Sequence, residues 1–410
     1  MTSMTADVLV VGAGPAGSAA AVWAARSGRD VVLIDAENFP RDKTCGDGLT
    51  PRAIAQLQLL GMGDWLRSRP RNRGIRMIGF GTQHDVAWNG PHLPDFGSAA
   101  PRTELDDALR QMAVESGARF HGGVRALGAL CDARGRVEAV TVKGPDTTSE
   151  IRCRSLIVAD GVRSRLGGSL GRVWHRDTVY GVAARAYVRS ARHDEPWITS
   201  HLELRDEQGQ AVAGYGWLFP LGNGEINLGV GSLATQKQHG KVNLHALLRQ
   251  YSATQRAAFG LDEELRAEAS AMLPMGGAVT KVSGPNWLLI GDAAACVNPL
   301  NGEGIDYGLE TGRLATEVLA AEDLTTLWPG LLREQYGDTF SVARRMAALL
   351  TYDWFLPVFG PIGMRSGRVM SIAARVMGNL VTDEDRDLVA RAWRLAGAAS
   401  RRVDARPLWN

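Results

Sequence analysis

Asp7-Val8-Leu9-Val10-Val11-Gly12-Ala13-Gly14-Pro15-Ala16-Gly17-Ser18-Ala19-Ala20-Ala21, closing at Val31-Val32-Leu33-Ile34-Asp35, is the stretch that decides the fold. Val8 to Val11 form an unbroken apolar run of mostly β-branched residues, suited to a strand buried on both faces of a parallel sheet. A helix follows at once. The three glycines divide the work: one makes the tight turn, one lets a pyrophosphate approach bare backbone, one lets the helix pack on the strand. Pro15 and Ala16 open the helix, whose unpaired N–H groups and dipole face the phosphates. Val31 to Ile34 supply the second strand, and Asp35, followed by Ala36, stands about 20 residues on, where a carboxylate accepts bonds from ribose hydroxyls. Strand, glycines, helix and acid in register predict a Rossmann-like dinucleotide-binding unit, NAD and FAD being both open at this point.

Length and charge bound the rest. The 410 residues suffice for two domains or one elaborated one. Forty-six basic residues nearly cancel forty-four acidic ones, which gives no electrostatic argument for nucleic acid. Cys45, Cys131, Cys153 and Cys296 are scattered without a Cys-x-x-Cys pair, so no metal site is expected and a reducing cytoplasm is the simplest compartment. The chain enters its first strand almost immediately, which argues against a secretory signal, and no window has the roughly 20 uninterrupted apolar residues of a spanning helix. A soluble or peripheral protein is expected.

After Asp35 comes Lys43-Thr44-Cys45-Gly46-Asp47-Gly48-Leu49, either an accessible glycine loop or a plain connection, then a helix from about Pro51 to Leu60. Arg102-Thr103-Glu104-Leu105-Asp106 opens a helix to about Ser116; spacing alone favours a solvated Arg102 over a phosphate contact. Val124–Leu130, Val137–Val142 and Glu150–Arg154 alternate like antiparallel strands with turns at Gly135 and at Gly144-Pro145-Asp146. Leu156 to Ala159 form a further apolar strand that ends in Asp160-Gly161 and rejoins the first sheet. From Val179 to Ser232 aromatic, glycine-punctuated segments, among them Gly214-Tyr215-Gly216-Trp217-Leu218-Phe219-Pro220 and Ile226-Asn227-Leu228-Gly229, predict a second, antiparallel sheet that walls a substrate cavity. Helices are expected at about Asn243–Tyr251 and Asp262–Ser270. Trp287 to Ile290 lead into Gly291-Asp292, and Pro299-Leu300-Asn301-Gly302-Glu303-Gly304-Ile305 opens a long helix to about Ala321. Residues 326–410 look helical. There, Arg344, Arg345, Arg365, Arg368 and Arg375 flank the apolar run 354–364, where two prolines argue against a continuous helix. That run is either a buried loop or, within 354–375, a patch for peripheral membrane contact.

Gly12-x-Gly14-x-x-Gly17 with Asp35, Arg102 with Asp106, Asp160-Gly161, Gly291-Asp292 and Pro299-x-x-Gly302-x-Gly304, in that order over some 300 residues, resemble the motif set of FAD enzymes with the p-hydroxybenzoate hydroxylase architecture. The fold class implied is mixed α/β and α+β. A discontinuous FAD-binding domain would take residues 1–80, 98–175 and 281–325, an inserted antiparallel-sheet substrate domain 81–97 and 176–280, and a C-terminal helical region 326–410. The resemblance implies that Arg102 approaches the FAD phosphate and ribityl region, that Asp160 lies near the phosphates, and that Asp292 binds the ribityl chain. Gly302 to Ile305 would face the flavin pyrimidine ring. Lys43 to Leu49 and the Tyr215-x-Trp217-x-Phe219-Pro220 segment are similar to the geranylgeranyl reductases, most of all the menaquinone reductases among them. This implies saturation of one double bond in the polyprenyl tail of a menaquinone, a lipid-quinone substrate. One departure is Asp35, where many relatives carry Glu.

Within that resemblance, Cys45 or Asp47 would serve the proton transfer at the flavin edge, with Cys45 and Gly46 in reach of the cofactor. Tyr215, Trp217 and Phe219 would line the prenyl tunnel; the plainer alternatives are a packing cysteine and an aromatic core. Rival readings are a geranylgeranyl reductase acting on chlorophyll or lipid, an aromatic-ring flavin monooxygenase of the same fold, and a prenyl-binding escort without redox work. No second three-glycine unit houses NADPH, so the electron donor stays open.

Overall fold

The computed structural model describes residues 4–145, 147–206, 208–235, 243–352 and 354–409, so Asp146 of the expected turn lies outside the described residues. Along the chain the main elements are β1 (Met4–Val11), α1 (Pro15–Arg26), β2 (Val31–Ile34), α2 (Pro51–Leu59), β3 (Gly74–Gly79), β4 (Thr82–Ala87), α3 (Arg102–Glu115), β5 (Arg119–His121), β6 (Arg125–Cys131), β7 (Val137–Lys143) and β8 (Thr148–Val158). Then come β9 (Tyr180–Arg189), β10 (Trp197–His201), β11 (Gly214–Pro220), β12 (Glu225–Ala234), α4 (Leu244–Phe259), β13 (Arg266–Pro274) and β14 (Trp287–Leu289). The last are α5 (Ile305–Val318), α6 (Leu327–Leu350), α7 (Phe355–Gly363), α8 (Gly367–Met377) and α9 (Leu388–Arg402).

The first sheet runs β14-β8-β1-β2-β5, with β7 and then β6 continuing from β8. β1 lies parallel to both β8 and β2, and its residues Val8 to Val11 are buried on both faces by α1, α5 and the rest of the main core. Residues expected as two strands, Glu150–Arg154 and Leu156–Ala159, form one: β7 pairs antiparallel along 148–152 of β8, β1 parallel along 151–158 and β14 parallel along 156–158.

The second sheet runs β13-β9-β12-β11-β10-β3-β4, antiparallel except where β10 meets β3. Its two faces follow the period of two. Ala184, Ala186, Val188, Leu218, Ile226, Leu228 and Val230 face α4 and bury Leu247, Leu248 and Tyr251. The alternate residues Arg185, Tyr187, Tyr215, Trp217, Phe219 and Asn227 share the other face, opposite one another across the strands.

Three expectations are corrected. Residues 262–270 are not a helix: α4 runs on to Phe259, Gly260 ends it in the left-handed region, and β13 then pairs along the open edge of β9. Its acidic, helix-favouring composition loses to the backbone hydrogen bonds that the edge offers. The boundary at residue 80 falls inside the hairpin β3–β4, whose first strand already belongs to the second sheet. Residues 355–363 do form a helix: Pro357 sits in its first turn, where no N–H partner is lost, and Pro361 forgoes only a bond to the Pro357 carbonyl.

Candidate active site

Between the two sheets and the C-terminal helices lies one cavity of about 1370 Å³. It opens at one end on the glycine turn. Gly12 has φ +103°, and a Cβ there would crowd the Ala159 carbonyl; a Cβ on Gly17 would collide with the Gly12 carbonyl oxygen. Both glycines are therefore required by close approach of backbone rather than by the cavity, which they do not line. Gly14 caps α1 with no side-chain bond to its N–H groups, and Pro15 and Ala16 follow it along the cavity wall. Over Gly14, where a Cβ would stand, the Arg41 and Arg102 guanidinium groups converge at 3.5 and 3.9 Å. Bare backbone, a helix N-terminus and two guanidinium groups make a cradle for a pyrophosphate.

Arg102 is 3 % exposed, not solvated. Asp106 takes two bonds from it, at 2.7 and 2.8 Å, and a third from Arg41 at 2.8 Å, so a buried acid aims both guanidinium groups at the turn. Asp35 is buried at the end of β2, where Oδ2 accepts the Ala13 N–H at 2.7 Å and Oδ1 the Glu37 N–H. Asp35 and Ala36 do not line the cavity, nor does Pro299, which is buried against Gly276.

Farther along, Asp160 Oδ2 accepts the Leu166 N–H, while its Oδ1 is buried without a partner among the described residues and burial pushes the carboxyl up. Arg172 Nη2 is likewise buried with no partner among the described residues. Asp292 pairs with Lys43 at 3.0 Å, beside Gly161 and Gly291. Gly302 (φ +75°), Gly304 and Ile305 line the wall where α5 begins, again without a side-chain cap. Orphaned polar atoms and uncapped helix ends along one cavity fit an FAD, whose pyrophosphate the start of α1 would hold.

The loop 43–49 crosses the middle of the cavity. Cys45 lies beside Arg102, and its sulfur accepts the Asp47 N–H at 3.3 Å; burial nonetheless pushes the thiol up. Asp47 is fully buried in the left-handed region, φ +61°. Burial pushes its carboxyl up to about 6, although Tyr187, Asn227, Arg102 and Arg185 each favour the ionised form. Gly46 and Gly48 pack under the Phe219 ring. Tyr215, Trp217 and Phe219 form a row with ring centres 5.8 and 6.3 Å apart, and a Cβ at Gly229 would collide with the Trp217 ring. Beyond them the wall is Ile75, Met77, Ile198, Leu349, Phe355, Phe359 and Met370, ending at α7.

That end corrects the C-terminal expectations. No residue of α7 is buried, and Trp354, Val358, Phe359 and Ile362 are exposed, so the run is not a buried loop. Of the flanking arginines, Arg344 and Arg345 pair with Asp404, and Arg375 with Asp385 and Asp387; Arg365 and Arg368 are exposed, as is Arg345.

Sequence reasoning missed Tyr187, Asn227 and the acids at the start of α5. Asp306, held by Asn379 at 2.7 Å, and Glu303, bonded by Thr50, have carboxyls pushed up by burial, and Arg52 pairs with Glu310 at 3.1 Å. A lone Asn between Ile226 and Leu228 was the available signal.

The FAD binding domain family matches residues 5–324. The chain is 60 % identical over 404 residues to "Menaquinone reductase" of Mycolicibacterium smegmatis, covering 98 % of each. It is 59 % identical over 403 residues to that of Mycobacterium tuberculosis, again with 98 % of each chain covered. A geranylgeranyl bacteriochlorophyll reductase-like protein from Thermoplasma acidophilum shares the fold, with TM-score 0.73, 21 % identity, and 97 % and 96 % of the two chains covered. The chain thus belongs to the FAD-binding domain family and, within it, to the family of the mycobacterial menaquinone reductases.

Proposed function

We propose that this chain is an FAD-dependent reductase that saturates one carbon–carbon double bond in the polyprenyl tail of a menaquinone. The observation that carries the reading is the single continuous cavity, which runs from the pyrophosphate cradle past a buried acid and an aromatic row to an apolar mouth. A tail many isoprenes long needs such a channel, and a small aromatic substrate does not. When bound, FAD supplies the hydride.

An isolated alkene has no carbonyl to accept a hydride, so a proton has to reach one carbon and leave positive charge on the other. Asp47 is the acid of choice, neutral below about 6 and set in the cavity wall. Cys45 and Gly46 shape the loop that presents it. Tyr215, Trp217 and Phe219 hold the tail, and their ring faces tolerate developing positive charge. The apolar wall beyond excludes water.

At the mouth, α7 with its exposed Val358 and Ile362, Trp354 just before it and Arg365 and Arg368 just after it, supports peripheral contact with a lipid surface from which the tail enters. No helix among the described residues is long and apolar enough to cross a membrane.

Chemically reduced holoenzyme mixed with menaquinone under anaerobic conditions tests the reading by mass spectrometry. A gain of two hydrogens is expected. An inserted oxygen under air would shift the assignment to a ring monooxygenase; faster saturation of a geranylgeranyl lipid than of menaquinone would move the substrate class.

A further inference from the structure

Asn227 is fully buried on β12, an amide set between Ile226 and Leu228. Trp217 Nε1 donates to its Oδ1 at 2.9 Å. Its Nδ2 donates to the Cys45 carbonyl oxygen and to Asp47 Oδ2, both at 2.9 Å. An indole N–H only donates, so the amide oxygen has to face Trp217 and both amide hydrogens have to face the loop 45–47. Asp47 Oδ2 accepts a second bond, from the Tyr187 hydroxyl at 2.7 Å. Two donors fill that oxygen, whereas Oδ1 is buried with no partner among the described residues. On a neutral carboxyl the proton belongs on the oxygen that is not engaged as acceptor.

We propose that Asn227 and Tyr187 are positioning residues that turn Asp47 so that its proton is carried on Oδ1, and that Asn227 locks this orientation to the tunnel wall through Trp217. The proposal rests on the reading of Asp47 as the acid. In the step it serves, the Oδ1–H bond breaks, the alkene electron pair forms a C–H bond with that proton, and Asp47 is left as a carboxylate. The hydride named above completes the addition, and solvent returns the proton to Asp47. Both donors then hold the new negative charge. The bond to the Cys45 carbonyl also anchors a loop whose Asp47 backbone is strained for a non-glycine residue.

The ionisable groups that face Asp47 are Tyr187 and Arg185 from β9, Arg102 from α3 and Cys45 in its own loop. Tyr187→Phe removes one donor and leaves the rest. The holoenzyme is read without substrate, by the infrared band of the protonated Asp47 carboxyl, identified by its absence in Asp47→Asn, and with substrate by the pH profile of kcat. Losing a donor to the ionised form is expected to move the band's midpoint up by roughly one to two pH units, and the descending limb of kcat with it, at unchanged KM. Asn227→Ala is expected to do the same and also to raise KM, because Trp217 loses its acceptor. If that variant fails to hold flavin, Tyr187→Phe decides alone. A midpoint and limb both unmoved in Tyr187→Phe overturn the proposal. A midpoint that shifts in an enzyme that saturates no alkene supports the positioning and overturns the functional reading instead.

Discussion

At the scale of single residues, Asp47 combines full burial, a carboxyl pushed up to about 6, and one oxygen without a partner among the described residues. Such a group suits the acid role proposed for it. Asp47→Asn is expected to keep the bound flavin and to slow single-turnover alkene reduction by roughly 10²- to 10⁴-fold. A variant as fast as the wild type would transfer the role to Cys45, and Cys45→Ser would then be the decisive measurement. Gly17 is constrained by space alone. Since a Cβ there meets the Gly12 carbonyl, Gly17→Ala is expected to purify without flavin absorbance.

At the scale of elements, α7 is the segment whose surroundings contradict its composition. It is strongly apolar, yet none of its residues is buried. Gly360 packs against the Phe80 ring, and Phe355 and Phe359 line the cavity mouth, while Trp354 and Ile362 do not. The double change Trp354→Ser and Ile362→Ser should therefore leave the tunnel intact and weaken sedimentation with anionic vesicles. KM should rise for a long-tailed menaquinone presented in those vesicles and stay unchanged for a short-tailed one in solution. Unaltered sedimentation would remove lipid contact from this face. The same scale explains β13: its residues favour a helix locally, but the open edge of β9 supplies partners that a solvated helix could not match.

At the scale of the molecule, the cavity is built by putting charge where water is absent, and this carries a stability signature. Asp47 titrates higher folded than unfolded, so the folded state binds the proton more tightly. Stability is then fully present below about 4 and falls as pH rises through about 6, by about 3 kcal/mol for a two-unit shift. Asp306 pulls the same way, because burial raises its carboxyl too. Calorimetry of the flavin-free protein should show melting temperature declining from pH 4 to 6, with a shallower decline in Asp47→Asn. Equal slopes would mean that Asp47 does not titrate in that window.

The sequence by itself determined that the front unit binds a dinucleotide, and only the later motifs named the dinucleotide as FAD. The fingerprint is local chemistry: a strand, a turn only glycine can make and a helix start all lie within a dozen residues, so no distant partner is needed to recognise them. The order of the later motifs disclosed the family, and the alternation in Tyr215-x-Trp217-x-Phe219 disclosed the wall. Tertiary structure alone decided that Arg102 is buried, since Asp106 and Arg41 hold it there, and that residues 355–363 stay helical outside the core. It also decided the acid's environment: Tyr187 and Asn227 stand 140 and 180 positions from Asp47, and only the closing of the second sheet over the loop brings them within hydrogen-bond distance. A proton's place on one carboxyl oxygen depends on contacts of that length, which no local pattern encodes.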